Sequence, residues 1–294
     1  MSSPTPTGRP LQTPLTAIFP LKSAFASARL LRLLPTLQGG LRQALADLTQ
    51  THFFRCVLIN DGSELAMIAT FDGTTDGFLD GLVERAGTLL DQIMEFVCPP
   101  SPVPVAMRRS EFKRYVLARS APAPFWYTAT PQLSAPQVRI KAQSAGIDPG
   151  DSLTSPEQNT LCAILNVRSC DDAVQLRGLM QAQAPLVLRA FADVGTVHFA
   201  RFLFLRNETQ FAIITAFDGT FEKYSHDFVE KLGPIFDALL IHVVGGDASL
   251  IPVQQHFPAF HQIIVDSNYA PPTIWYSAYP RLSVQNKFVL QTPP

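Results

Sequence analysis

The sequence lacks an excess of charge of either sign. Its 23 Lys and Arg residues are balanced by 24 Asp and Glu residues, and no basic run occurs along the chain. Because a protein that neutralises a phosphate backbone needs clustered positive charge, nucleic acid is not expected as a partner. Charged residues make up only 16% of the chain, so many apolar side chains must be covered by a core, a pocket or an oligomer interface. A homo-oligomer is therefore compatible with this composition.

Long apolar runs and paired cysteines are also missing. No run approaches the roughly 20 residues that span a bilayer. The first residues are polar and rich in proline rather than basic and then apolar, so no secretion signal is expected. The four cysteines show neither CxxC spacing nor a cluster with histidine. We therefore predict no membrane span, no metal site, reduced thiols and a cytoplasmic location.

What the sequence does contain is a duplication. The text THFFRCVLINDGSELAMIATFDGT at 51–74 is matched by VHFARFLFLRNETQFAIITAFDGT at 197–220. A shorter match on the N-terminal side pairs LTAIFPLK at 15–22 with LCAILNVR at 161–168. A segment rich in Ser, Gly, Asp, Pro and Gln separates the copies and is typical of a linker. The predicted parts are a disordered lead at 1–14, a first repeat at 15–134, a linker at 135–160 and a second repeat at 161–294.

Each repeat is predicted to contain a strand, a helix, two strands, a second helix, a variable segment and a final strand. The two middle strands form a hairpin, which in the first repeat turns at Asp61-Gly62. Both faces of the hairpin are apolar, so each sheet is expected to bury both of its faces. The first helix of each repeat contains a proline, Pro35 or Pro185, and a break is predicted there.

This order of elements, together with the duplicated HFxR and FDGT text and the WYxAxPxLS endings, resembles the dimeric α+β barrel superfamily. The resemblance implies an α+β fold in which tandem ferredoxin-like repeats pack sheet to sheet as an intramolecular, pseudodimeric barrel. Similar barrels include haem peroxidases, cofactor-free monooxygenases and small cyclases. The resemblance therefore implies an architecture rather than one reaction.

The predicted function is that of a barrel whose interior binds a small apolar or aromatic molecule. A cofactor-free oxygenase, a lyase and a cyclase are the compatible enzyme classes. The residues chosen for a catalytic role inside the barrel are His198, Arg201 and Tyr276. A non-catalytic interaction protein, with its cavity filled by side chains, is an alternative from a different class.

The HFxR motif does not form a local His-Arg dyad, because residues three apart on a strand face opposite sides of the sheet. The predicted hairpin register instead sets His52 across from Asp72 and His198 across from Asp218. Such a pair is either an oriented general base or a structural pair whose Asp holds backbone groups where the next helix begins. Retention in both repeats favours the structural interpretation.

Histidine is distributed unevenly, since only His52 of the six histidines lies in the first repeat. In similar haem-binding barrels one neutral histidine of the second module ligates the iron. A haem-dependent peroxidase-like oxidoreductase is therefore a further alternative, and its ligand would be sought among His226, His256 and His261. The residues alone favour no cofactor, because neither HxxxH nor HxH spacing occurs.

Overall fold

The computed structural model describes residues 11–99 and 101–291. The first repeat comprises β1 Gln12–Pro20, α1 Ala24–Asp47, β2 Thr51–Ile59, β3 Glu64–Asp72, α2 Thr75–Met94, α3 Arg109–Leu117 and β4 Phe125–Thr128. Helix α4, Ala135–Ser144, follows. The second repeat comprises β5 Asn159–Asn166, α5 Cys170–Val194, β6 Val197–Leu205, β7 Gln210–Phe217, α6 Phe221–Leu240, α7 Phe257–Asp266, β8 Ile274–Ser277 and α8 Val284–Gln291.

The strands form two four-stranded antiparallel sheets, with the orders β1-β3-β2-β8 and β4-β6-β7-β5. The predicted α+β fold class is confirmed, because helices and two antiparallel sheets form two ferredoxin-like modules. The final strand of each repeat, however, belongs to the sheet of the other repeat. Strand β8 pairs with β2, and β4 pairs with β6. The two repeats have therefore exchanged their last strands.

Without the exchange, the final strand of each repeat would lie beside that repeat's own first strand. A short backbone contact occupies this place instead. In the first repeat the amide of Ile18 on β1 donates to the carbonyl of Arg119 at 3.0 Å. In the second repeat the amide of Ile164 on β5 donates to the carbonyl of Ser267 at 2.9 Å. This matching pair of hydrogen bonds makes Arg119 and Ser267 equivalent positions of the two repeats.

The two sheets pack face to face and form the centre of the core. Phe53 of β2 lies 5.0 Å from Phe199 of β6, measured between ring centroids. Residues on this inner face of the second sheet, such as Leu203 and Ile214, belong to the same buried cluster as the first sheet and helices α1 and α2. The outer face of the second sheet packs on α5, α6 and α7 in a separate cluster. The layers are therefore helix, sheet, sheet, helix.

The helix breaks predicted at Pro35 and Pro185 are wrong. Helices α1 and α5 run through both prolines, for 24 and 25 residues. In α1 the buried leucines at 30, 34, 37, 41 and 45 form one continuous face, while Pro35 is exposed to solvent. Burial of that face along the whole helix offsets the hydrogen bond that proline cannot donate.

Helices α2 and α6, which follow the two hairpins, each begin after a capping threonine. The hydroxyl of Thr74 accepts a hydrogen bond from the amide of Gly77, and the hydroxyl of Thr220 accepts one from the amide of Lys223. Both threonines have an extended backbone, as N-cap residues do. Among residues 11–99 and 101–291, no helix is both long and apolar enough to cross a bilayer.

The described residues cover the predicted linker completely and the predicted lead only in part. Residues 1–10 of the lead lie outside them, while Gln12 already belongs to β1. The segment predicted as a linker contains α4, which starts with a capping box formed by Ser134 and Gln137. The division of the chain at these boundaries stays a prediction.

Candidate functional site

Two buried arginines cross between the sheets. Arg55 of β2 donates to the carbonyl oxygens of Thr215 and Leu161, at 3.2 and 3.0 Å, and both acceptors lie in the opposite sheet. Burial lowers the pKa of Arg55 to about 10 and that of Arg201 to about 9. Both guanidinium groups therefore remain protonated at neutral pH inside the core.

Arg201 makes the larger set of bonds. Its four acceptors, all in the first sheet, are the carbonyls of Leu15 and Ala69 and the hydroxyls of Thr16 and Thr70, at 2.6 to 3.1 Å. Its side chain is fully buried and its terminal nitrogens are already engaged. We therefore interpret Arg201 as a structural link between the sheets, which leaves it poorly placed to bind the anion of a ligand.

The cross-strand His-Asp pair of the second repeat is present. His198 Nε2 lies 2.7 Å from Asp218 Oδ1, and His198 Nδ1 lies 2.7 Å from the amine of Lys287 in α8. Because a carboxylate only accepts, Nε2 holds the proton and Nδ1 accepts from Lys287. The result is a chain of hydrogen bonds from Lys287 through His198 to Asp218.

The first repeat has the same pair with a different third member. His52 Nε2 lies 2.8 Å from Asp72 Oδ1, and His52 Nδ1 lies 2.8 Å from the hydroxyl of Tyr279. By the same reasoning the tyrosine hydroxyl donates to Nδ1. In both repeats a β-bulge next to the histidine, between Thr51 and Phe53 in β2, shifts the ladder register.

Both aspartates also hold a helix start, but it belongs to a distant helix and not, as the sequence had suggested, to the next helix along the chain. The second carboxylate oxygen of Asp72 accepts from the amide of Ala135 at the start of α4, at 2.9 Å. That of Asp218 accepts from the amide of Val284 at the start of α8, at 2.7 Å. Each aspartate thus orients a histidine and holds a helix start at once.

The electrostatics of these two triads follow from burial. Burial, followed by the neighbouring Lys287, lowers the pKa of His198 to about 4, and the hydrogen bond to Asp218 opposes the change only in part. Burial also lowers the pKa of His52, and it lowers that of Lys287 well below its ordinary value. Both histidines are consequently neutral near pH 7, as their hydrogen bonds require.

The two triads meet inside the molecule. The amine of Lys287 lies 4.0 Å from the centroid of the Tyr279 ring and 5.2 Å from that of Phe53. An amine with a lowered pKa beside a histidine has the chemistry of a base or a nucleophile. Lys287 is only 1% exposed, however, and neither cavity described below is lined by it. In this structure the cluster is better suited to joining the repeats than to meeting a substrate.

Tyr276 lies apart from the other residues predicted to be catalytic. It is on β8, opposite Phe54, and its phenol interacts with Ser152. Burial raises the pKa of Tyr276 to about 12, so its hydroxyl stays protonated. Since His198, Arg201 and Tyr276 have separate sets of partners, the structure does not bring them together around one ligand position.

The three histidines considered for haem lie on or beside α6 and α7. His226 and His261 both pack against the ring of Phe257, at 5.3 and 5.4 Å between ring centroids, and His261 Nδ1 lies 2.7 Å from Ser225 Oγ. His256 precedes α7. The adjoining cavity measures about 30 Å³, far below the roughly 300 Å³ at which cofactor pockets begin. These residues therefore do not fit a haem, and no group of three or more metal-ligating side chains occurs in the described part of the chain.

A much larger cleft lies on the outer face of the second sheet. Its volume is about 900 Å³, and it runs between the segment at 118–125 and helix α5. Its aromatic lining consists of Phe125, Phe202, Phe204 and Phe211. Its charged lining consists of Arg119, Arg177, Arg206 and Glu208. The size lies within the range of about 300–1,000 Å³ that holds small molecules.

In the first sheet, a side chain occupies the space that is equivalent to the open part of this cleft. The amide of Ala121 donates to Thr16 at 2.8 Å, and the amide of Tyr269 donates to Cys162 at 3.0 Å, so Ala121 and Tyr269 are equivalent. The Tyr269 hydroxyl reaches the backbone of the β2–β3 turn at 60 and 61. At the equivalent place Ala121 has only a methyl group, and the space up to the β6–β7 turn is open.

Sequence reasoning found the two His-Asp pairs and missed their third members. When the two WYxAxPxLS endings are aligned, Tyr279 lies at the position of Thr130 within the motif. Lys287 lies at the position of Val138, a few residues after the motif. A comparison of the two endings for polar residues gained in one copy would have found Lys287 in place of Val138, but not Tyr279, because Thr130 is itself polar. The cleft could not be found in this way, because it depends on an alanine in the variable segment.

Comparisons with known proteins give no family. No protein-family model and no curated protein matches this chain. Solved structures that resemble it include one from Lactobacillus acidophilus NCFM, described as a "putative monooxygenase", with a TM-score of 0.38, 10% identity and coverage of 79% of this chain and 89% of that one.

Two further solved structures cover more of the chain. One from Fusobacterium nucleatum subsp. nucleatum ATCC 25586, also described as a "putative monooxygenase", has a TM-score of 0.41 and 6% identity, and covers 93% of this chain and 97% of its own. An "anthrone oxidase-like protein" has a TM-score of 0.33 and 9% identity, and covers 93% and 96%. At these scores and identities, no activity transfers from these proteins to this chain.

Proposed function

We propose that this protein binds a small apolar or aromatic molecule in the cleft between the segment at 118–125 and helix α5. The observation that supports this most is the volume of about 900 Å³ beside four phenylalanine rings. Aromatic rings hold planar ligands by stacked or edge-to-face packing and gain from excluding water. The ligand position thus moves from the barrel interior, which Arg55, Arg201 and Phe199 fill, to the outer face of one sheet.

The cleft has a mixed lining of the kind that orients a ligand. Gln181 and Asn207 supply amide groups, and Ser120 supplies a hydroxyl, around the apolar surface. A few polar groups on an apolar wall are usual for small-molecule sites. The oxygenase, lyase and cyclase reactions inferred from the sequence stay predictions, because this lining does not specify a reaction.

Binding of phenylnaphthylamine, an uncharged aromatic probe that fluoresces in apolar surroundings, tests the proposal. The wild-type protein should give a saturable fluorescence increase. Ala121→Tyr should weaken binding by about tenfold or more, because the new ring would occupy the cleft as Tyr269 occupies its counterpart. Ala192→Tyr places the same ring on the exposed face of α5 and should leave binding unchanged.

Two outcomes would contradict the proposal. One is the absence of saturable binding by the wild-type protein. The other is equal binding by the wild type and Ala121→Tyr, with both proteins shown by circular dichroism to be folded, since the probe would then sit elsewhere.

A further inference from the structure

The charges around the cleft are not balanced. Two of its three arginines have carboxylate partners: Arg177 forms an ion pair with Glu208, and Arg206 Nε lies 3.1 and 3.2 Å from the two carboxylate oxygens of Glu64. Arg119 has none within ion-pair distance in the part of the chain that the structure describes. One positive charge at the cleft is therefore left without a counter-ion.

Arg119 is held in position by an aromatic ring. Its guanidinium carbon lies 3.6 Å from the centroid of Tyr115, and one terminal nitrogen makes a long bond of 3.4 Å to the Tyr115 carbonyl. The Tyr115 ring is itself fixed, because its hydroxyl donates to the carbonyl of Cys98 at 2.7 Å. Stacking on a ring leaves the edge of a guanidinium, with most of its five N–H donors, free for a planar acceptor.

The unpaired charge and the open space occur in the same half of the molecule. Arg119 is equivalent to Ser267, and Ala121 is equivalent to Tyr269, as the matched edge hydrogen bonds define. The half whose space is filled by Tyr269 has a serine where the open half has an arginine. Arg119, which supplies the guanidinium, and Ala121, which leaves the cleft open, therefore lie two residues apart on one segment.

We infer that the ligand of the cleft is an amphipathic acid, with an aromatic or apolar body against the phenylalanine rings and an anionic group bound by Arg119. This inference rests on the proposed function and adds a charge requirement to it. A carboxylate matches the planar N–H fork of arginine with two parallel hydrogen bonds, and a sulfonate offers the same kind of oxygen acceptors. A neutral ligand would leave the Arg119 donors to water.

Two probes with the same aromatic body separate the charge from the apolar surface. Anilinonaphthalene sulfonate carries the acid group, and phenylnaphthylamine lacks it. The wild-type protein should bind the sulfonate about tenfold more tightly at low ionic strength, and added salt should reduce this preference. Ala121→Tyr should weaken binding of both probes, which places them in the cleft.

Charge variants then test Arg119 itself. Arg119→Gln should weaken sulfonate binding by about tenfold and leave phenylnaphthylamine binding unchanged, while Arg119→Lys should restore part of the loss. Arg32→Gln removes an exposed arginine of α1 and should change neither affinity. A readout by fluorescence titration needs no knowledge of the natural ligand.

The outcomes distinguish the two proposals. If neither probe binds the wild-type protein, the proposed function fails and the inference fails with it. If phenylnaphthylamine binds and the sulfonate binds no better, the charge requirement is wrong while the cleft remains a site. If Arg119→Gln weakens both probes equally, Arg119 shapes the cleft rather than binding an anion, and the inference is likewise overturned.

Discussion

The two halves of the molecule share a scaffold and differ in what fills it. Both keep a His-Asp pair, a crossing arginine and a threonine cap in equivalent places. The space beside the second sheet is open at Ala121, whereas the equivalent space beside the first sheet is filled by Tyr269. The duplicated residues thus maintain the fold, and the cleft lies where the copies differ.

The largest effect should come from removing a crossing arginine. Arg201→Ala is expected to lower the free energy of unfolding by about 3–5 kcal/mol, because four buried acceptors in the first sheet lose their donor and a cavity is left. Arg55→Ala removes donors from only two carbonyls and should cost less. Urea unfolding of both variants would measure the difference, and an equal or smaller loss for Arg201→Ala would contradict this account.

Acid should weaken the second half through His198. Its pKa is about 4 in the folded chain and about 6.5 when unfolded, so its contribution is complete above pH 6.5 and is lost as the pH falls towards 4. The loss is on the order of 3 kcal/mol. Urea unfolding at several pH values measures it.

Lys287→Met provides the matched comparison for the acid effect. Since the Lys287 charge helps to lower the pKa of His198, its removal should raise that pKa and flatten the stability profile between pH 6.5 and 4. Histidine titration by NMR would follow His198 directly. An unchanged profile in Lys287→Met would show that the lysine does not act on His198.

The smallest effect should come from opening the first half. Tyr269→Ala is expected to lower the free energy of unfolding by about 1–2 kcal/mol, because the ring is only partly buried. It should also open a second cleft, which binds phenylnaphthylamine more weakly because Cys56, Leu58 and Leu65 stand at the positions of Phe202, Phe204 and Phe211. Tyr269→Phe keeps the ring and should leave one site. A single site in Tyr269→Ala would mean that more than this side chain separates the halves.

Local patterns in the sequence predicted most of the fold. Apolar runs and turn residues located the hairpins, and the hairpin length placed His52 beside Asp72 and His198 beside Asp218. These contacts join residues that are close in the chain, so the length of the hairpin is enough to predict them. The breaks predicted at Pro35 and Pro185 were wrong because burial along a whole helix outweighs one local signal.

Long-range features were beyond the same reasoning. A four-residue strand such as β4 has no turn that fixes its partner. The sequence therefore could not predict that Phe125–Thr128 pairs with β6 and not with a strand of its own repeat. The cleft also depends on two segments that are far apart in sequence. An alanine at 121 becomes informative only when its spatial counterpart, Tyr269, is known.

The exchange of β4 and β8 makes the two repeats thermodynamically inseparable. If either repeat opened alone, it would withdraw an edge strand from the other and leave a row of unpaired amide and carbonyl groups along β2 or β6. Each repeat therefore depends on the other for a complete sheet. The chain should behave as one cooperative unit in amide hydrogen exchange, with β2 and β6 protected by the same global opening.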